Sequence, residues 1–274
     1  YLAAARLDNG AYDWNIEPGQ TLDKSGSGYR NIAGIAALGL LDAYERDRDA
    51  RAGDASGSDA SAGDASGSDT AVPGLADTLA ATKNYIYDQL ARFADDTNSS
   101  LSATNLLFMA RYKDLLGLST QEWDMALACL QKRLVELDET YGTDDPVLAD
   151  GWVNQTIALR DSQNIASVVG WDLAFLLRAL VAMDAPRADI DYVVAQLLML
   201  DYDSSEPFGT LSAAHALFAL AVAGDSTRRE ELAQIVIDAI DEERRVEHDT
   251  QSSAYALMAW RVPRRQEAAL IQAP

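Results

Sequence analysis

An all-α fold is what this sequence predicts, and three observations carry the prediction. Alternating Val/Ile/Thr runs are scarce, while long Ala/Leu-rich segments fill the chain. The helical segments are of two kinds, amphipathic with a charged face or apolar nearly all round. Segments of the second kind also resemble one another at fixed intervals, the signature of a helical repeat.

The 274 residues, 48% of them hydrophobic, suit one large core, so residues 1–274 are read as a single domain. Helices are expected over 1–7, 29–46, 75–94, 101–116, 120–138, 146–159, 163–183, 187–199, 210–223, 226–243 and 250–260. The stops between them are Gly10, Pro18-Gly19, Gly117, Gly142, Pro186, Pro207, Gly224 and Pro263. Thr210 and Asp249 or Thr250 are suited to N-cap positions. Between the second and third helices, residues 53–72 hold two near-identical ten-residue units of Gly, Ser, Ala and Asp, with almost nothing able to enter a core. A flexible, solvated loop over 50–73 is expected there. Asp54, Asp59, Asp64 and Asp69 recur every five residues, but a calcium loop needs denser oxygen ligands than that spacing gives.

STQEWDMALACLQKRLVEL and TRREELAQIVIDAIDEERR are amphipathic. NIAGIAALGLL, WDLAFLLRALVAM and GTLSAAHALFALAVAG are apolar nearly all round and must be buried on all sides. The two kinds alternate, which predicts an inner layer of buried helices wrapped by an outer layer of amphipathic ones. Thr210–Leu220 aligns with Thr250–Trp260 at an offset of 40, and Ala174–Leu180 aligns with Ala214–Leu220 at the same offset. Fainter copies, Ser102–Ala110 and Ile35–Leu41, precede these at intervals of about 70. Small Ala side chains let inner helices approach, and Leu fills the space between them. Such helix pairs can close into an α/α toroid or stay open as a solenoid.

The turn and helix DYDSSEPFGTLSAAHALFALA, residues 201–221, resemble the repeat of the squalene–hopene cyclase and protein prenyltransferase superfamily. HDTQSSAYALMAW, residues 248–260, resembles the same helix start. LAAARLDNGAYDW, residues 2–14, looks like that superfamily's Gln…Asp-Gly…Trp loop, with Arg6 where Gln would stand. The resemblance implies an α/α toroid. It does not select a function, because such toroids include cyclases, prenyltransferases, cobalamin carriers and thioester domains, and similar ones serve lyases and glycosidases. The Asp-x-Asp-Asp and Asp-Asp-x-x-Asp acids of terpenoid cyclases are missing. Cys129, His215 and His248 do not fall into a zinc set, and Cys129-Leu-Gln131 lacks a thioester context. A terpenoid cyclase therefore ranks third.

Net charge bounds the partners. With 43 Asp+Glu against 22 Lys+Arg the chain carries −21, and only four of the basic residues are Lys. That excludes the basic footprint of a nucleic-acid binder and docking on an anionic membrane. It points instead to a halophile: at molar salt the Debye length falls to about 3 Å, so crowded carboxylates repel little and keep the surface hydrated. Structure should be lost when salt is removed. No stretch is apolar for the length of a membrane span. The single cysteine, Cys129, is expected as a small buried hydrophobe. The sequons at Asn98 and Asn154 are glycosylation candidates that favour an extracellular or cell-surface location over the cytoplasm.

A glycosidase would need two carboxylates about 5–10 Å apart across a sugar. Asp13, Asp161, Asp172 and Asp249 stand near inner-helix starts. Asp172 is the best placed, beside Trp171 at the start of a buried helix, where a charge needs a partner or a wet cavity. The repeat alignment also yields a column, Asn105, Phe175, His215 and Tyr255, which changes chemistry while its flanking columns stay Ala and Leu. Either these side chains face a central cavity or they pack between helices. The candidate ligand-binding set is Asp13, Trp14, Asn105, Trp171, Asp172, His215 and Tyr255, with Asp172, His215 and Tyr255 as catalytic candidates. No metal or cofactor is implied. The expected function is a non-catalytic surface or secreted domain binding a small ligand, glycan or protein partner. A carbohydrate-active hydrolase or lyase is the alternative.

Overall fold

A computed structural model describes residues 6–12, 30–56, 74–95, 101–141, 165–202 and 209–240. Among them stand eight helices and no strand. These are α1 (Arg30–Ser56), α2 (Leu75–Asp95), α3 (Ala103–Leu116), α4 (Thr120–Tyr141), α5 (Ile165–Ala182), α6 (Arg187–Met199), α7 (Gly209–Ala223) and α8 (Arg229–Asp238). The expected helices over 146–159 and 250–260 lie outside the described residues.

The helix ends follow local chemistry. Ser102 caps α3, its hydroxyl accepting the Thr104 N–H at 3.4 Å. Gly117 ends α3 at φ 82°, its N–H returning to the Lys113 and Tyr112 carbonyls. Pro186 precedes α6, where its missing N–H costs nothing.

Four expectations need correction. Residues 6 and 7 do not continue a helix: Arg6 pairs with Tyr12 across a turn at Asp8–Gly10, and the Asn9 side chain accepts the Ala11 N–H. A short polar turn sequence outcompetes the helix there. α1 runs to Ser56, beyond the expected end at 46 and into the stretch read as loop from 50, because Glu45–Ala52 is rich in Arg and Ala, both good helix formers. Thr210 is not an N-cap but the second helical residue. The last described helix, α8, spans Arg229–Asp238 instead of 226–243; Asp225 instead organises a turn, accepting the Thr227 N–H at 2.9 Å.

The apolar helices pack in series: α1 on α3, α3 on α5, and α5 on α7. The amphipathic helices α2, α4, α6 and α8 pack against them, and α2 also packs on α4. Neighbours in the apolar series, and the α2–α4 pair, touch at near-constant offsets. α2 meets α4 through Lys83–Glu122, Leu90–Cys129 and Phe93–Lys132, each pair 39 residues apart. α1 meets α3 through Asp42–Arg111, and α3 meets α5 through Ala103–Asp172, each 69 apart. α5 meets α7 through Phe175–His215 and Arg178–Phe218, each 40 apart. Two helices that keep one offset along their length run parallel, so the 40- and 70-residue intervals of the sequence are spatial neighbours.

Glycine allows the closest of these approaches. A Cβ on Gly34 of α1 would fall 2.4 Å from the Thr104 Oγ1 and 2.6 Å from the Asn105 Oδ1 of α3. A Cβ on Gly170 of α5 would fall 3.1 Å from the Ser212 Cβ of α7. One contiguous core, including Leu41, Leu106, Leu176, Leu217 and Val236, joins all eight helices. No helix among the described residues is long and apolar enough to cross a membrane.

Candidate functional site

Asp172 has the environment that made it the best candidate in the sequence, and it has a partner. It lies in the second turn of α5 with 1% of its surface exposed. Its Oδ2 accepts from the Arg133 guanidinium of α4 at 3.2 Å, and its Oδ1 accepts the Ala103 N–H at 3.2 Å. Arg133 is itself 2% exposed. The carboxylate therefore fastens three helices at one point. It neutralises a buried guanidinium and satisfies a donor at the start of α3, where the positive end of the helix favours an anion. Burial pushes the Asp172 carboxyl up, while Arg133 and the Ala103 N–H oppose that rise.

His215 is also buried, at 1% exposure, in the middle of α7. Its ring packs on Phe175, centroids 5.0 Å apart, and Phe175 in turn receives the edge of Trp171 at 6.1 Å. One turn on, the Arg178 guanidinium sits 4.4 Å from the Phe218 ring and 5.2 Å from that of Phe175. Burial, then the charge of Arg178, lowers the His215 pKa to about 3, so the imidazole is neutral at ordinary pH. Asn105, 1% exposed, lies at the α1–α3 seam beside Gly34.

The column is buried wherever it is described. Asn105 meets α1, and Phe175 and His215 meet each other across α5 and α7. All three are buried at contacts between neighbouring apolar helices. Of the described candidates only Trp171 keeps substantial exposure, half-buried in the first half of α5. Asp13, Trp14, Asp161, Asp249, Tyr255 and the sequons at Asn98 and Asn154 lie outside the described residues.

Two residues that sequence reasoning passed over are central. Arg133 sits on an amphipathic helix among surface-like neighbours, yet is fully enclosed. Its signal was an interval: it precedes Asp172 by 39 residues, the offset that also joins α2 to α4. Arg228 donates to the Leu198 and Leu200 carbonyls at 2.9 and 2.6 Å, closing the end of α6, and pairs with Glu231. Cys129 is fully buried, its thiol donating to the Leu90 carbonyl at 3.3 Å.

Among the described residues no group of three or more His, Cys, Asp or Glu is placed to hold a metal ion. No protein-family model matches the sequence, and neither a curated protein nor a solved structure matches it.

Proposed function

We propose that this chain is a non-catalytic α/α toroid domain, of the repeat type seen in squalene–hopene cyclases and protein prenyltransferases. On this reading it binds a ligand, glycan or protein partner at a cell surface or in a secreted protein, in a high-salt environment. The observation that carries the reading is the commitment of Asp172. The carboxylate best placed for acid–base work is held by Arg133 and the Ala103 N–H, out of solvent. His215, the described histidine, is enclosed and held neutral by burial. Both serve the scaffold, which leaves Trp171 as the accessible member of the described set and suits it to stacking on a sugar or apolar ligand.

The repeat arrangement is supported by the register of the apolar helices and of the α2–α4 pair, which a ring or solenoid of helix pairs requires. The high-salt setting is supported by how lysine is used. Three of the four lysines are described. Lys83 pairs with Glu122, Lys113 lies 3.9 Å over the Trp123 ring, and Lys132 donates to the Phe93 carbonyl while lying over its ring. Each tethers α4 to a neighbour, so lysine persists where its ammonium has a packing role.

The test is incubation of the full chain, in molar salt, with a panel of neutral and acidic polysaccharides. Retention on one of them, weakened by Trp171→Ala while the fold persists by circular dichroism, is the expected result. New reducing ends or unsaturated uronates would overturn the non-catalytic reading in favour of a hydrolase or a lyase. Retention on none, without turnover, would leave a protein or small-ligand partner as the remaining form of the proposal, read by capture of a soluble ligand on the immobilised chain.

A further inference from the structure

We draw no further inference here: the strongest candidate, the two fully buried and unpartnered hydroxyls of Thr210 and Ser212 in the first turn of α7, lies at a seam where a Cβ on Gly170 would already fall 3.1 Å from that of Ser212, and nothing in the structure shows what they would bind.

Discussion

The α2–α4 seam and the α5–α7 seam solve one geometric problem with opposite chemistry. Both join parallel helices about one repeat apart. Between α2 and α4 the charged ties are the Lys83–Glu122 pair, with side chains 17% and 18% exposed, and the Lys132 ammonium on the Phe93 carbonyl, beside the buried Cys129 thiol on the Leu90 carbonyl. Between α5 and α7 the ties are buried rings and a guanidinium, Phe175 on His215 and Arg178 between Phe175 and Phe218. Salt separates the two. Screening weakens partly solvated ion pairs but leaves ring packing intact, and molar salt strengthens apolar burial when the anion is excluded from the surface. A protein of net charge −21 that lives in salt would therefore rely on the second kind of seam.

The largest loss of stability is expected at the ion pair that fastens α4 to α5. Asp172→Ala leaves Arg133 enclosed without its carboxylate and should cost about 3–5 kcal/mol, read by urea unfolding in molar salt. The double variant Asp172→Leu with Arg133→Met should recover most of that loss, since a matched apolar pair replaces a buried ionic one. Recovery in the double variant separates a structural tie from a general intolerance of change at the site.

Phe175→Ala should come next, at about 3 kcal/mol, because it empties the space shared by Trp171, His215 and Arg178. That loss should not shrink as salt rises over the range in which the chain stays folded. A loss that shrinks with salt would mean that the α5–α7 seam is held electrostatically after all.

His215 sharpens the contrast through pH. Its folded pKa is about 3 against an ordinary 6.5, so the unfolded chain takes up a proton that the folded chain refuses. The stability it supports is whole above pH 6.5 and is lost as pH falls toward about 3. His215→Asn should flatten that limb of a stability–pH curve, and an unchanged slope would show that the imidazole accepts its proton in the folded state.

The smallest effect is expected at the outer seam. Desolvation tends to raise the Glu122 pKa, but hydrogen bonds from Lys83 and Ser119 prevail and lower it to about 2. Its contribution is present above pH 4.5 and disappears toward pH 2. Lys83→Met should cost about 1 kcal/mol at the lowest salt at which the chain stays folded and less at molar salt. A cost that survives molar salt would erase the distinction between the seams.

How far the sequence reveals this molecule depends on the kind of information asked of it. Helix identity was legible because an all-apolar segment such as GTLSAAHALFALAVA has no stable place except inside, and α7 is buried from Gly209 to Leu220 apart from Leu211. The order of the apolar helices was legible because Ala and Leu recur at intervals that contacts then respect. Asp172 was recognisable as a residue needing a partner, but the partner was not, since Arg133 is one arginine among many on charged helices and only its enclosure distinguishes it. The direction of the Asn105–Phe175–His215 column was ambiguous for a different reason. A repeat alignment fixes that side chains point alike, not whether they point at a neighbour or at an axis. The stop at Gly10 was legible, but not that the turn it belongs to draws Arg6 and Leu7 out of the helix expected over 1–7.

The fixed offset between neighbouring helices constrains how such a chain can change length. Removing one residue from the middle of α5 would rotate everything beyond it by about 100° about the helix axis. Phe175 or Arg178 would then leave its partner on α7, and the Gly170–Ser212 approach would be lost. Removing or duplicating a whole forty-residue unit would instead bring Ala and Leu faces against their like. Descent by gain and loss of entire units, with single-residue insertions confined to connections such as that between α1 and α2, is the evolutionary path such a register leaves open.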